Sequence, residues 1–75
     1  MAASRALRLR KISAGASALA DEAKELYEAV QARLEKHPNS MELLDLAGWL
    51  DSLCGALEDA VHYADGAAKE LEGEA

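Results

Sequence analysis

Seventy-five residues, 51% hydrophobic but only 4% aromatic, with alanine leading the apolar set, fit one small domain of closely packed helices and exclude a sheet, a barrel or a disordered chain. The single Cys54 excludes an intrachain disulfide, and no stretch approaches the roughly 20 apolar residues of a transmembrane helix, so a reducing, cytoplasmic setting is expected. The net charge of -6 is unevenly spread: Arg5, Arg8, Arg10 and Lys11 make the N-terminal end basic, and every acid lies at Asp21 or beyond.

The first twenty residues, MAASRALRLRKISAGASALA, are Arg-rich, contain serines and lack acids, as mitochondrial presequences do. Their arginines surround Leu7 and Leu9 on a helical wheel, which spoils the amphipathic split. Mitochondrial targeting is therefore the minor alternative to a cytoplasmic location. The basic arm either contacts nucleic acid, a membrane surface or an acidic partner, or is a helix end neutralised by the C-terminal glutamates. No aromatic or amide side chain accompanies the arginines to read bases, and the acidic remainder of the chain opposes a polyanion, so nucleic acid is the weaker reading.

Helical spacing begins within this arm. Leu9, Ile12, Ala16, Leu19, Ala23, Leu26 and Val30 recur by threes and fours and predict a helix over about residues 4–36. The only proline, Pro38, disfavours helical geometry at His37 and ends it. Asn39 is the expected N-cap of the next helix, with Glu42 completing a capping box and Ser40 as the competing cap. A second helix follows over about 41–71, in which Leu43, Leu46, Leu50, Leu53, Leu57, Ala60, Ala64, Ala67 and Leu71 alternate by three and four without a slip.

A turn of only residues 37–40 makes the two helices antiparallel neighbours, an all-α hairpin in which the numbers of contacting residues sum to about 77. At roughly 45–50 Å each, the helices match in length. Both carry more apolar surface than one neighbour covers. Ala47, Cys54, Val61 and Ala68 flank the second seam on one side and Trp49, Ala56 and Tyr63 on the other, while Ala20, Tyr27 and Leu34 flank the first. Tyr27, Leu34, Trp49, Cys54, Ala56, Val61 and Tyr63 are accordingly the candidate interface residues. The surplus predicts a homo-oligomer, with a dimeric four-helix bundle favoured, or else a helical segment of another protein.

The segment HPNSMELLDLAGWLDSLCGALEDAVHYADGAAKEL resembles one tetratricopeptide-type repeat. Pro38-Asn39 matches the opening turn; Leu44, Ala47 and Gly48 match the first helix. Gly55 falls at the turn glycine, and Ala60, Ala64 and Ala67 match the second helix. Asp51 and Ala64 stand where that family places aromatics, no closing proline follows, and a single repeat is visible where a stack needs at least three. The resemblance implies a peptide-binding module. The residues themselves favour an uninterrupted second helix, because the seam passes Gly55 without a change of phase.

Catalytic constellations are lacking. Asp59 and His62 have the spacing of a di-iron Glu-x-x-His pair but lie opposite the leucine seam, among Asp51, Glu58 and Asp65, as a solvated acidic face would. Cys54 and His62 are more than two turns apart on one helix, too far for a thiol–imidazole pair. No phosphate loop or nucleophile elbow is present. The chain is expected to need no cofactor or metal and to act as a non-enzymatic protein–protein interaction module.

Overall fold

The computed structural model describes residues 2–73. It comprises two helices, α1 (Ala2–Lys36) and α2 (Met41–Gly73), packed against each other as an antiparallel hairpin. The rod measures 55 × 14 × 12 Å over its Cα atoms. Helix α2 runs unbroken through Gly48, Gly55 and Gly66, since an isolated helical glycine costs only about 1 kcal/mol relative to alanine.

The hinge is a β-turn. The amide of His37 donates to the Arg33 carbonyl at 2.9 Å, closing the last turn of α1, and the Ser40 amide donates to the His37 carbonyl at 3.1 Å. Pro38 occupies the first central position, where its fixed φ is an asset and its missing N–H costs nothing. Asn39 takes the second central position, and no described non-glycine residue has a positive φ. The helix cap is consequently Ser40, not Asn39. The Ser40 hydroxyl accepts from the Leu43 amide at 3.3 Å, and its carbonyl accepts from Leu44 at 3.1 Å. With the cap one residue later, Leu43 and not Glu42 holds the third helical position, so the expected capping box does not form. Arg33 and Lys36 near the end of α1, and Glu42 at the start of α2, complement the two helix dipoles.

The line of contact between the helices differs from the expected leucine seam. The buried side chains are small: Ala6, Ser13, Ala16, Ala23 and Val30 on α1, and Ala47, Ala64 and Ala68 on α2. Leu9, Ala20, Tyr27 and Leu34 fill out the first row as half-buried residues; Leu43, Leu50, Cys54, Leu57, Val61 and Leu71 fill out the second. Every second member of each predicted seam is therefore retained. The alternate members move by one residue, from Ile12, Leu19 and Leu26 to Ser13, Ala20 and Tyr27, and from Leu46, Leu53 and Ala67 to Ala47, Cys54 and Ala68; Ala60 and Val61 are both half-buried.

The cause is steric. Small residues let two helices approach closely, which gains contact along their whole length. Ile12, Leu19 and Leu26 are left more than half exposed, and Leu46 and Leu53 nearly so. Among the described residues no large side chain is fully buried. The hairpin has a seam but almost no core.

Candidate interaction surface

The displaced leucines collect on one side of the rod. Leu19, Ala23 and Leu26 of α1 line a shallow groove with Leu53 and Leu57 of α2, and Glu22 borders it. Towards the open end of the hairpin, Leu9, Ile12 and Leu71 line a second depression, bordered by Arg5 and Arg8. These two depressions form a continuous apolar face. Its α1 half is the row Arg5, Ile12, Leu19, Leu26 and Arg33, spaced by sevens; its α2 half is Leu46, Leu53, Ala60 and Ala67 at the same spacing.

Beyond each row, one more position per heptad forms an edge. The α1 edge reads Arg8, Gly15, Glu22, Ala29, Lys36, and the α2 edge reads Glu42, Trp49, Ala56, Tyr63, Glu70. Trp49 is 76% exposed and Tyr63 71%. Next to the Tyr63 end, a polar depression is lined by His62, Asp65, Gly66, Lys69 and Glu70.

The opposite side of the rod is mainly polar, with Leu44 exposed in the row of Asp51, Glu58 and Asp65. Ser17, Asp21 and Lys24 of α1 meet Glu58 and Val61 of α2 there. On the same side, Arg10 reaches across to α2 with its guanidinium forked on Glu72. Its Nη2 donates to Oε1 at 2.9 Å and its Nε to Oε2 at 3.4 Å, while Nη1 donates to Asp65 Oδ1 at 3.3 Å. The hydrogen bond to Glu72 is the main cause that holds the Arg10 pKa above its ordinary value; desolvation opposes it, and the charges of Glu72 and Asp65 with the Asp65 hydrogen bond add to the rise. All three side chains are well exposed, so the cluster orients the helix ends more than it stabilises them.

The candidate residues named from the sequence thus divide. Tyr27, Leu34, Cys54 and Val61 are half-buried within the hairpin's own seam and face α1 or α2, not solvent. Trp49, Ala56 and Tyr63 stand exposed along one edge. The basic arm divides as well: Arg10 belongs to the polar side, Arg5 and Arg8 border the apolar face, and Lys11 is exposed between them. Sequence reasoning missed Ile12, Leu19, Leu26, Leu46 and Leu53 as surface residues because it placed them in the hairpin seam. The signal was present in the neighbouring alanines, which form a second complete three-four row beside the leucines.

Among the described residues no three His, Cys, Asp or Glu side chains converge as metal ligands, and Asp59 and His62 are both exposed. No helix of the described residues is long and apolar enough to cross a membrane. No protein-family model, no curated protein and no solved structure matches the chain.

The surface area states the consequence. The hairpin exposes 5724 Å², whereas a compact monomer of its 8.0 kDa mass would expose about 4,450 Å² by surface-to-mass scaling. The surplus is comparable to the roughly 800 Å² that each partner contributes to a stable protein–protein interface.

Proposed function

We propose that the chain is a non-enzymatic protein–protein interaction module, an adaptor, assembly factor or inhibitor, whose working surface is the apolar face centred on Leu19, Leu26 and Leu53. The observation that carries this reading is the exposure of five large aliphatic side chains on one side of a rod whose own core is a single line of small residues. A helical partner laid on that face buries the leucine rows and completes a four-helix bundle. The predicted leucine seam then becomes the centre of the bundle, with the small-residue seam as one of its flanks. A self-associated dimer is the simplest such assembly.

The polar side supports no competing chemistry: its open acids and Arg10 are mutually neutralised or solvated. The division of the basic residues between two sides of the rod also speaks against a nucleic-acid surface, which needs its cations gathered on one side.

The reading is tested by thermal melts followed by circular dichroism at several protein concentrations, with Leu19→Glu/Leu53→Glu as the comparison. Wild-type stability should rise with concentration or on adding a partner, and the double variant should lose that gain while keeping its helicity. A cooperatively folded wild-type monomer at about 10 μM, melting at a concentration-independent temperature equal to that of the variant, would refute the reading.

A further inference from the structure

Resting on that reading, we infer that the occupant of the apolar face is a second copy of this chain, lying face to face with both turns at the same end, so that each α1 runs along the α2 of the other copy. Two-fold symmetry allows two face-to-face arrangements of a rod. With the axis along the rod, the α1 edge of one copy meets the α2 edge of the other at equal height. With the axis across the rod, each edge meets its own kind, head to tail.

Heights along the rod follow from contacts within the hairpin. Leu26 shares a groove with Leu53, Leu9 shares a depression with Leu71, and Arg10 reaches both Asp65 and Glu72, which brackets the register to within a few residues. On this register Arg8 is level with Glu70, Gly15 with Tyr63, Glu22 with Ala56, Ala29 with Trp49, and Lys36 with Glu42. In the turn-to-turn arrangement those are the pairs that face each other across the interface. Cation meets anion at both ends, each aromatic ring meets glycine or alanine, and the one acid on the α1 edge meets an alanine.

Gly15 leaves the space a ring needs, since nothing lies within 4 Å of where its Cβ would stand. The inner rows agree in part: Ile12 faces Ala67 and Leu19 faces Ala60 of the second copy, while Leu26 meets Leu53 and Arg33 lies level with Leu46. With the rods fully overlapped, the head-to-tail arrangement sets Arg8 against Lys36, Glu42 against Glu70 and Trp49 against Tyr63, while Ala56 faces only itself. Charge and volume thus select the same arrangement. The surplus of surface already noted is enough to supply each copy's share of such an interface.

The test is a spin-label distance measurement between the two turns, using Asn39→Cys in a Cys54→Ala background, alongside sedimentation equilibrium. A dimer whose labels lie within about 30 Å, given helices about 10 Å apart, is the expected result. A dimer with labels near the 55 Å length of the rod overturns the inferred arrangement but leaves the interaction reading standing. A monomer overturns it too; an unfolded monomer that needs another protein spares the reading, and a stably folded one removes both.

Charge reversal provides a second measurement. Glu42→Lys/Glu70→Lys should weaken dimerisation by roughly tenfold or more, and adding Arg8→Glu/Lys36→Glu should restore it. Unchanged affinity in the first variant overturns the arrangement, because head-to-tail pairing merely exchanges one like-charge contact for another.

Discussion

At the scale of single residues, the glycines of α2 test whether backbone or surroundings set the local stability. Gly55 sits in mid-helix with nothing within 4 Å of a built Cβ. Gly55→Ala should therefore stabilise the hairpin by about 0.5–1 kcal/mol through helix propensity alone, read as a higher melting midpoint. A loss of stability would mean that Gly55 ends a helix, as the glycine of a repeat turn does. Ser40 gives the converse case. Its hydroxyl satisfies the Leu43 amide, so Ser40→Ala should cost about 1 kcal/mol, while Asn39→Ala should cost less because Asn39 accepts no helix amide. Equal losses at the two positions would show that the cap is shared.

At the scale of elements, the two helices are held by alanine contacts that tolerate no added volume. Ala23 is 3% exposed and Ala68 is fully buried. Ala23→Leu or Ala68→Leu should each destabilise the hairpin by about 1–3 kcal/mol in denaturant titration, although leucine is the more hydrophobic residue. The same leucine placed at Ala56 on the exposed edge should be tolerated. Had the leucine rows formed the seam, Ala68 would lie on a flank and Ala68→Leu should be tolerated, whereas Ala23, common to both rows, would stay sensitive.

This contrast also marks what could be read from the residues alone. Pro38, the three-four spacing and the matched lengths were sufficient for two antiparallel helices and a turn at 37–40. The choice of facing row was not, because Leu19 and Ala20, or Leu53 and Cys54, are adjacent on the helix surface and each completes an unbroken row. Burial of the larger side chain favours one row, and close approach of the backbones favours the other. Periodicity cannot weigh those two gains against each other. Exposure was hard to read for the same reason: Trp49 and Tyr63 stand on no predicted seam and are exposed, whereas Leu19 and Leu26 were assigned to a seam and are exposed as well.

At the scale of the whole molecule, the shape limits how the surplus apolar surface can be covered. A rod of 55 × 14 × 12 Å offers its apolar face along its length, so only side-by-side pairing hides the rows from Ile12 to Leu53. Joining rods end to end buries little beyond the turn, whose residues His37, Pro38 and Asn39 are exposed and polar or stiff. Small-angle scattering separates these assemblies without labels or substitutions. The hairpin has a Cα radius of gyration of 16.8 Å. A side-by-side dimer with hairpin axes about 10 Å apart should scatter with twice the mass and a radius near 17.5 Å, barely larger than the monomer. Two rods end to end should give a radius of about 32 Å, from centres one rod length apart. Doubled mass with the larger radius would mean that the apolar face is left uncovered by self-association. Doubled mass with the smaller radius requires the two centres to lie close together, which brings the long faces into contact and excludes joining through the turns.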